Sequence, residues 1–246
     1  AEYWQKKPLL IRNAIPNFEP PIDGDDLAGL SLEAEVESRL VIGDDWALEH
    51  GPFEESRFAS LPEQNWSLLV QGVDLWVPEV ADLLSSFDFL PSWRVDDIMV
   101  SYAEDGGNVG PHFDYYDVFL IQGEGQRHWQ IGQLCSEADL HTDSTALKIL
   151  KNLEVSDEWT LNPGDMLYLP PKIAHHGVAI GQCTTFSVGF RAPAATEMLD
   201  DLATELLSRD ITPNHLQDPP LNAAMANEPI SGAYIQQVKE LLQQTL

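Results

Sequence analysis

The residues best suited to chemistry lie in the segment GPHFDYYDVFLIQGEGQRHWQIG, Gly110–Gly132. His112 and Asp114 stand two positions apart, just after a glycine-rich turn. In an extended strand, residues i and i+2 face the same side, so an imidazole nitrogen and a carboxylate oxygen would converge. They would be two of the three ligands of a two-histidine, one-carboxylate facial set, which leaves positions on Fe(II) free for substrate and oxygen. The third ligand must be a His from another strand. PPKIAHHGV offers His175 and His176, the first of them 63 residues beyond His112, a spacing that fits opposing strands of a double-stranded β-helix. Neighbours on a strand face opposite ways, so only one of the two can be a ligand, and pattern alone does not choose.

Arg127 follows His112 by fifteen residues. On the adjacent strand, pointing into the same barrel, it would be a buried cation in need of an anion. Its planar fork suits a carboxylate, and the distal carboxylate of 2-oxoglutarate would answer it. A lone His-x-Asp is most often structural, and a lone Arg most often pairs with a surface acid. The combination in one β-rich stretch is what carries weight. His128 should point to the opposite face from Arg127, and His50, His141 and His215 sit in loop-like contexts that read as surface.

The elements that must hold these residues are short strands. From Trp93 to about Ala192, short apolar runs (DDIMVSYA, YDVFLIQG, RHWQIG, GVAIGQ, CTTFSVGF) alternate with Gly, Pro and Asp turns, the texture of a β-sandwich or barrel. In LNPGDMLYLPP, Pro163-Gly164-Asp165 predicts a tight turn and Met166–Leu169 a buried strand. Before this region, residues 1–30 read as irregular, SLEAEVESRLVIG from Ser31 as a helix running into a strand, Asn65–Trp76 as a strand, and VPEVADLLSSFDFLP as a helix ending at Pro91. After Pro193, Leu199, Leu202 and Leu206, then Ile235, Val238, Leu241 and Leu242, fall at helical spacing around a turn-rich connector. These stripes read as packing surface, some of it between subunits.

Composition bounds the rest. The 246 residues carry 40 acidic against 13 basic side chains, a net charge of −27. Such a surface repels a phosphate backbone and argues against direct nucleic-acid binding. It fits either a strongly solvated surface or the steering of a basic partner. No apolar run is long enough to span a membrane, and no signal peptide is evident. The chain does not open on Met, which suggests a processed or excised polypeptide. Cys135 and Cys183 have no metal-type spacing and read as reduced thiols of a cytoplasmic protein.

The chain also resembles a known family. YWQKKPLLIRNA, DDLAGL, EVESRLV, HGPF, NWSLLVQ, WRVDDIMVSY, the Gly107–Gly132 stretch, PGDMLYLPP and FSVGFRAP together span nearly all of residues 2–195. They are similar to the bacterial ribosomal oxygenases, JmjC-type enzymes that hydroxylate an arginine of large-subunit ribosomal protein sixteen. The resemblance implies a mainly β, double-stranded β-helix (jelly-roll, cupin-like) fold, with Fe(II), 2-oxoglutarate and O2 as cofactor and cosubstrates. It makes His112, Asp114 and His175 the metal ligands, His175 being preferred over His176 because the family motif runs Pro-Pro, three residues, then the ligand. It makes Arg127 the 2-oxoglutarate-binding residue. Thr185 and Ser187, on the last strand, are expected to add hydrogen bonds to the cosubstrate. Met99, Ser101, Tyr115 and Tyr116 are expected to line the target-arginine pocket, with acids such as Asp105 and Asp117 near its mouth.

By the same resemblance, residues 1–195 are the oxygenase domain and 196–246 a helical dimerisation region, so a homodimer and a basic large-subunit ribosomal protein are the expected partners. The chain stops at Leu246, before the family's winged-helix module, as a truncated or shortened member would. Three competing readings remain open: hydroxylation of a different residue such as histidine or asparagine, a non-catalytic metal-binding cupin-like module, and a structural zinc site. The last is disfavoured by the carboxylate and the lack of Cys ligands.

Overall fold

Side chains alternate across each strand of this protein, and nearly every strand has work on both faces. The strands are β1 (Leu9–Ile11), β2 (Ser38–Ile42), β3 (Ala47–His50), β4 (Trp66–Val70), β5 (Val95–Ala103), β6 (Asp117–Gln122), β7 (Gln126–Leu134), β8 (Asp157–Leu161), β9 (Met166–Leu169), β10 (Ile173–Ile180) and β11 (Cys183–Phe190). They form an eight-stranded sheet, β1-β9-β6-β11-β5-β4-β2-β3, and a three-stranded sheet, β10-β7-β8. The computed structural model describes residues 2–139, 147–209, 214–218 and 229–245. His141 and much of the expected connector lie outside them.

The large sheet divides its residues strictly by parity. On β11, Phe186, Val188 and Phe190 enter the outer core, while Thr185 and Ser187 face inward. On β5, Ile98 and Val100 face out, and Met99 and Ser101 face in. On β6, Phe119 and Ile121 oppose Val118 and Leu120. Register aligns the inward set, with Thr185 opposite Ser101 and Ser187 opposite Met99. The outer core is closed by the N-terminal segment, whose Trp4 stacks on Tyr168 at 5.6 Å and meets Phe190 edge-on at 5.9 Å. The inner face is apolar at one end, where Val118, Leu120, Leu167 and Leu169 pack against Trp129, Ile131 and Leu161 of the small sheet. It turns polar at the other end, towards β11, β5, β4 and β2.

Turn chemistry follows the sequence. Asp165 N–H donates to the Asn162 carbonyl at 2.9 Å, with Pro163 second in the turn and Gly164 third at φ +81°, the arrangement of a type II turn, which needs a positive φ at that third position. Asp165 then anchors the N-terminal segment, accepting from Arg12 Nη1 at 2.6 Å and Asn13 N–H at 2.8 Å.

Two local expectations differ. The first helix is α1 (Gly24–Leu30), not a helix from Ser31, and it is capped by Asp23, which accepts from Asp26 N–H at 2.9 Å. Residues 31–37 form turns, because Gln71 N–H binds the Glu37 carbonyl at 2.9 Å and Ser38 pairs with Val70, drawing the stretch into the sheet. A single-turn α2 (Glu55–Phe58) follows. Likewise the Asn65–Trp76 strand ends at Val70, then turns in 3-10 form over Val73–Leu75. The Val77–Pro91 helix is a short α3 (Pro78–Ala81) continued by 3-10 turns to Phe87.

Two compact units are present, residues 1–192 and 193–246. The second contains α4 (Ala195–Ser208) and α5 (Gly232–Thr245). Leu199, Leu202, Ile235, Val238 and Leu242 on these helices are all exposed.

A buried ion pair, Arg94 with Asp117, lies beneath the N-terminal segment, which joins it through Gln5. Asp117, fully buried, accepts from Tyr168 Oη at 2.6 Å, Gln5 Nε2 at 3.0 Å and Arg94 Nη2 at 3.4 Å. Removing one partner of a buried pair strands a charge. Arg94→Ala should therefore lower unfolding free energy by about 3 kcal/mol in urea titration. A loss below about 1 kcal/mol would show that the neutral donors alone sustain the carboxylate.

Candidate active site

His112 and Asp114 do not lie in a regular strand. They sit in the loop between β5 and β6, where His112 makes an isolated antiparallel bridge to His175 of β10. His112 N–H binds the His175 carbonyl at 3.0 Å, the reverse bond is 2.8 Å, and Lys172 N–H binds the Asp114 carbonyl at 2.6 Å. This short extension of the small sheet keeps the i, i+2 relation without a full strand. Its result is a cluster in which one ligand atom each from His112, Asp114 and His175 lies within 4.8 Å of the others. The two imidazole rings are 4.3 Å apart, and His175 Nε2 is 3.6 Å from Asp114 Oδ2.

The tautomers are dictated by backbone carbonyls. His112 Nδ1 lies 2.9 Å from the Gly110 carbonyl and His175 Nδ1 2.9 Å from the Ile173 carbonyl. A carbonyl only accepts, so each Nδ1 carries the proton and each Nε2 lone pair faces the cluster. Two neutral imidazole nitrogens and one carboxylate oxygen suit a divalent transition metal. Burial, reinforced by His112, pushes the His175 imidazole down to about 4, which keeps it neutral for ligation.

His176 faces the other side of β10, with Nε2 3.2 Å from Asn108 Oδ1. The choice left open by pattern thus falls on His175. His128 also points away, to Thr160 Oγ1 at 3.2 Å. His50 ends β3 instead of lying in a loop, and both it and His215 are exposed.

The cluster opens into a cavity of about 490 Å³ between the two sheets. Arg127 and Trp129 of β7 line it, as do Thr185, Ser187, Met99, Ser101, Tyr115 and Tyr116. Arg127 is only 4% exposed. Its Nη2 lies 3.6 Å from the Cys183 thiol, and its Nε has no partner among the described residues. Among the described residues no acid forms an ion pair with it. Thr185 Oγ1, also buried, has no partner either. A buried cation and a buried hydroxyl are thus aimed into a cavity that holds a three-ligand cluster. A metal-bound molecule with a second carboxylate would satisfy both.

Tyr116 is half-buried, and its hydroxyl is pushed well above the usual phenol range by burial and by Asp114. Tyr115 lies at the rim, its hydroxyl bonded to Glu137 and its ring flanked by Lys148 and Lys172. The expected acidic mouth is corrected. Asp117 is in the outer core, and Asp105 is exposed and holds Gly181 N–H at 2.7 Å. The acids lining the cavity are Asp96 and Asp114. Sequence reasoning also passed over Arg39, Trp129, Lys148 and Arg191. Trp129 was available from parity, being two residues beyond Arg127.

His176, which burial also pushes down to about 4, shares the acid response with His175. In the unfolded chain each value is near 6.5, against about 4 when folded. Between those values the unfolded chain binds more protons, so the metal-free protein loses stability as pH falls from about 6.5 to about 4 and is unaffected above. Thermal unfolding in chelator should show this as a loss on the order of a few kcal/mol. The slope should shrink in His175→Gln; an identical slope would exclude His175 as a source.

Comparison with known proteins places the chain. The JmjC domain profile matches residues 82–198. The ribosomal protein uL16 3-hydroxylase of Escherichia coli (strain K12) is 43% identical over 219 residues, covering 88% of this chain and 58% of that protein. A probable ribosomal oxygenase of Haemophilus influenzae is 39% identical, covering 98% of this chain and 61% of that protein. The chain thus spans about three-fifths of the length of these relatives. The X-ray structure of E. coli ycfD superposes with a TM-score of 0.90 at 39% identity, covering 98% of this chain and 65% of that one. A structure of YcfD, a ribosomal oxygenase, in complex with cobalt and 2-oxoglutarate gives 0.87 at 39% identity, with 98% and 64% covered. With its two-sheet β fold and His-Asp-His cluster, the chain carries a JmjC domain.

Proposed function

We propose that this chain is an Fe(II)- and 2-oxoglutarate-dependent oxygenase that hydroxylates an arginine side chain of a basic large-subunit ribosomal protein. The observation that carries the reading is Arg127, a buried guanidinium with no counter-ion among the described residues, in the same cavity as His112, Asp114 and His175. A metal site kept for stability alone would have no use for such a cation, which disfavours the non-catalytic module. The relatives named above, one a uL16 hydroxylase, support the choice of substrate.

In this assignment His112 and His175 hold Fe(II) through Nε2 and Asp114 through a carboxylate oxygen. When bound, Fe(II) with 2-oxoglutarate activates O2 for oxidation of an unactivated C–H bond. The protein's own residues bind and orient. Arg127 clamps the far carboxylate of 2-oxoglutarate as a two-pronged donor, with Thr185 and Ser187 as further hydrogen-bonding groups. Val118, Leu120 and Trp129 form a dry wall beside it. Met99, Ser101, Tyr115 and Tyr116 line the entry for the target side chain, and Tyr116 stays protonated as a donor.

The net charge of −27 draws a basic partner towards the surface. We assign residues 196–246 to dimerisation, on the exposed Leu199, Leu202, Ile235, Val238 and Leu242 of α4 and α5. No described helix is long and apolar enough to cross a membrane. The free Cys135 and Cys183 support a cytoplasmic site of action, and the net charge of −27 speaks against direct nucleic-acid contact.

Large-subunit ribosomal proteins incubated with this chain, Fe(II), 2-oxoglutarate and air should yield one protein heavier by one oxygen on an arginine, by mass spectrometry. Oxygen on a histidine or asparagine would overturn the residue assignment, and absence of both product and succinate would overturn the enzyme. Arg127→Ala should raise the 2-oxoglutarate concentration needed for half-maximal succinate formation about ten- to a hundredfold, as expected for one charge-assisted contact. An unchanged requirement would remove Arg127 from the cosubstrate site.

A further inference from the structure

The second histidine of the HHG stretch, a tryptophan in an unfavourable backbone conformation and one loop asparagine meet at a single oxygen. Trp46 lies in the left-handed region at φ +52°, a conformation that costs a non-glycine residue roughly 1 kcal/mol or more and persists only where surroundings enforce it. Its indole Nε1–H donates to Asn108 Oδ1 at 2.7 Å. The same oxygen lies 2.9 Å from Gly110 N–H and 3.2 Å from His176 Nε2. Indole and backbone N–H groups can only donate, so the Asn108 amide is fixed with its oxygen towards them. His176 Nε2 must then carry its proton and donate as well. The amide's other end donates to the Gly106 carbonyl at 2.9 Å. Both ends of this side chain are therefore engaged.

The hub acts on His112 through one residue. Gly110, whose N–H Asn108 holds, offers its own carbonyl to His112 Nδ1 at 2.9 Å. Gly110 has φ +77°, and a Cβ there would stand 2.5 Å from Ile149 Cδ1 and 3.0 Å from the Trp46 ring. Gly110 is therefore held by Asn108 at its N–H, one peptide before the carbonyl that orients His112, and has the Trp46 ring beside its α-carbon. Among the described residues, backbone bonds hold this loop through Gly106 and Gly107 to Ala179, through Pro111 to Leu150 and through His112 to His175, and none of them reaches Asn108, Val109 or Gly110. Asn108 supplies the hold between them and ties the β2–β3 turn to β10.

We propose that Asn108, braced by Trp46 and His176, is a positioning residue for metal binding, setting the Gly110 carbonyl and through it the ring of His112. The inference rests on the reading of His112 as a metal ligand. Partners that orient a ligating histidine typically govern metal affinity by 10- to 100-fold.

The test is titration of the chelator-stripped full chain with Co(II) alone, following the visible absorption band, beside thermal unfolding of the same metal-free samples. Asn108→Ala should raise the Co(II) dissociation constant about 10- to 100-fold. Trp46→Phe, which removes the indole N–H and keeps most of the ring, should raise it by less. The double variant should bind no more weakly than Asn108→Ala, because the indole acts through the amide oxygen. Wild-type affinity in folded Asn108→Ala, or additive losses in the double variant, would overturn the proposal. If Asn108→Ala fails to fold, Trp46→Phe decides: wild-type Co(II) affinity there overturns the hub, and reduced affinity at an unchanged melting temperature supports it. Failure of the wild-type chain to bind Co(II) would instead strike the ligand reading beneath it.

Discussion

The eight-stranded sheet is covered on both faces, and successive side chains of a strand must point opposite ways. Each central strand therefore serves two environments at once. On β11 the even positions Phe186, Val188 and Phe190 fill one core, while the odd positions Thr185 and Ser187 are left for the cavity. A shift of one residue in register would place three large apolar groups in the cavity and hydroxyls in the outer core. The outer core thus holds the inner face in register, and with it the cavity-lining Thr185, Ser187, Met99 and Ser101.

The cavity's charge runs against that of the chain. Only 13 of 246 residues are Lys or Arg, yet Arg39, Arg127, Lys148 and Arg191 all line this one cavity, facing Asp96 and Asp114. The surface attracts cations while the interior favours anions. A small dicarboxylate and a basic protein can thus be recognised by different parts of one molecule without competing.

Much of this was legible in the sequence where the physics is local. Short runs of alternating or continuous apolar residues between turn formers marked β5 to β11, and Pro163-Gly164 marked its turn. His112 and Asp114 could be grouped because an i, i+2 relation is local, and Arg127 because it follows within fifteen residues, although β6 and β7 join different sheets. The choice between His175 and His176 needed the facing element, since it rests on what lies on each side of β10. Asp117 was misplaced for the same reason: its proximity in sequence to Asp114 says nothing of the outer core into which β6 turns it. The helix expected from Ser31 failed because pairing of β2 with β4 outweighed local propensity. Arg39 and Lys148 reach the cavity from distant parts of the chain, and no spacing rule links them to His112.

The large sheet ends in β1, three residues long, and β3, four residues long. Open sheet edges expose rows of unpaired peptide groups that can template another strand. Here each outermost strand is too short to offer more than a few such groups. At the edge of the small sheet, β8 carries the exposed acids Asp157 and Glu158. Resistance to strand-by-strand aggregation is in this way built into the geometry of the sheet margins as well as into the chain's charge.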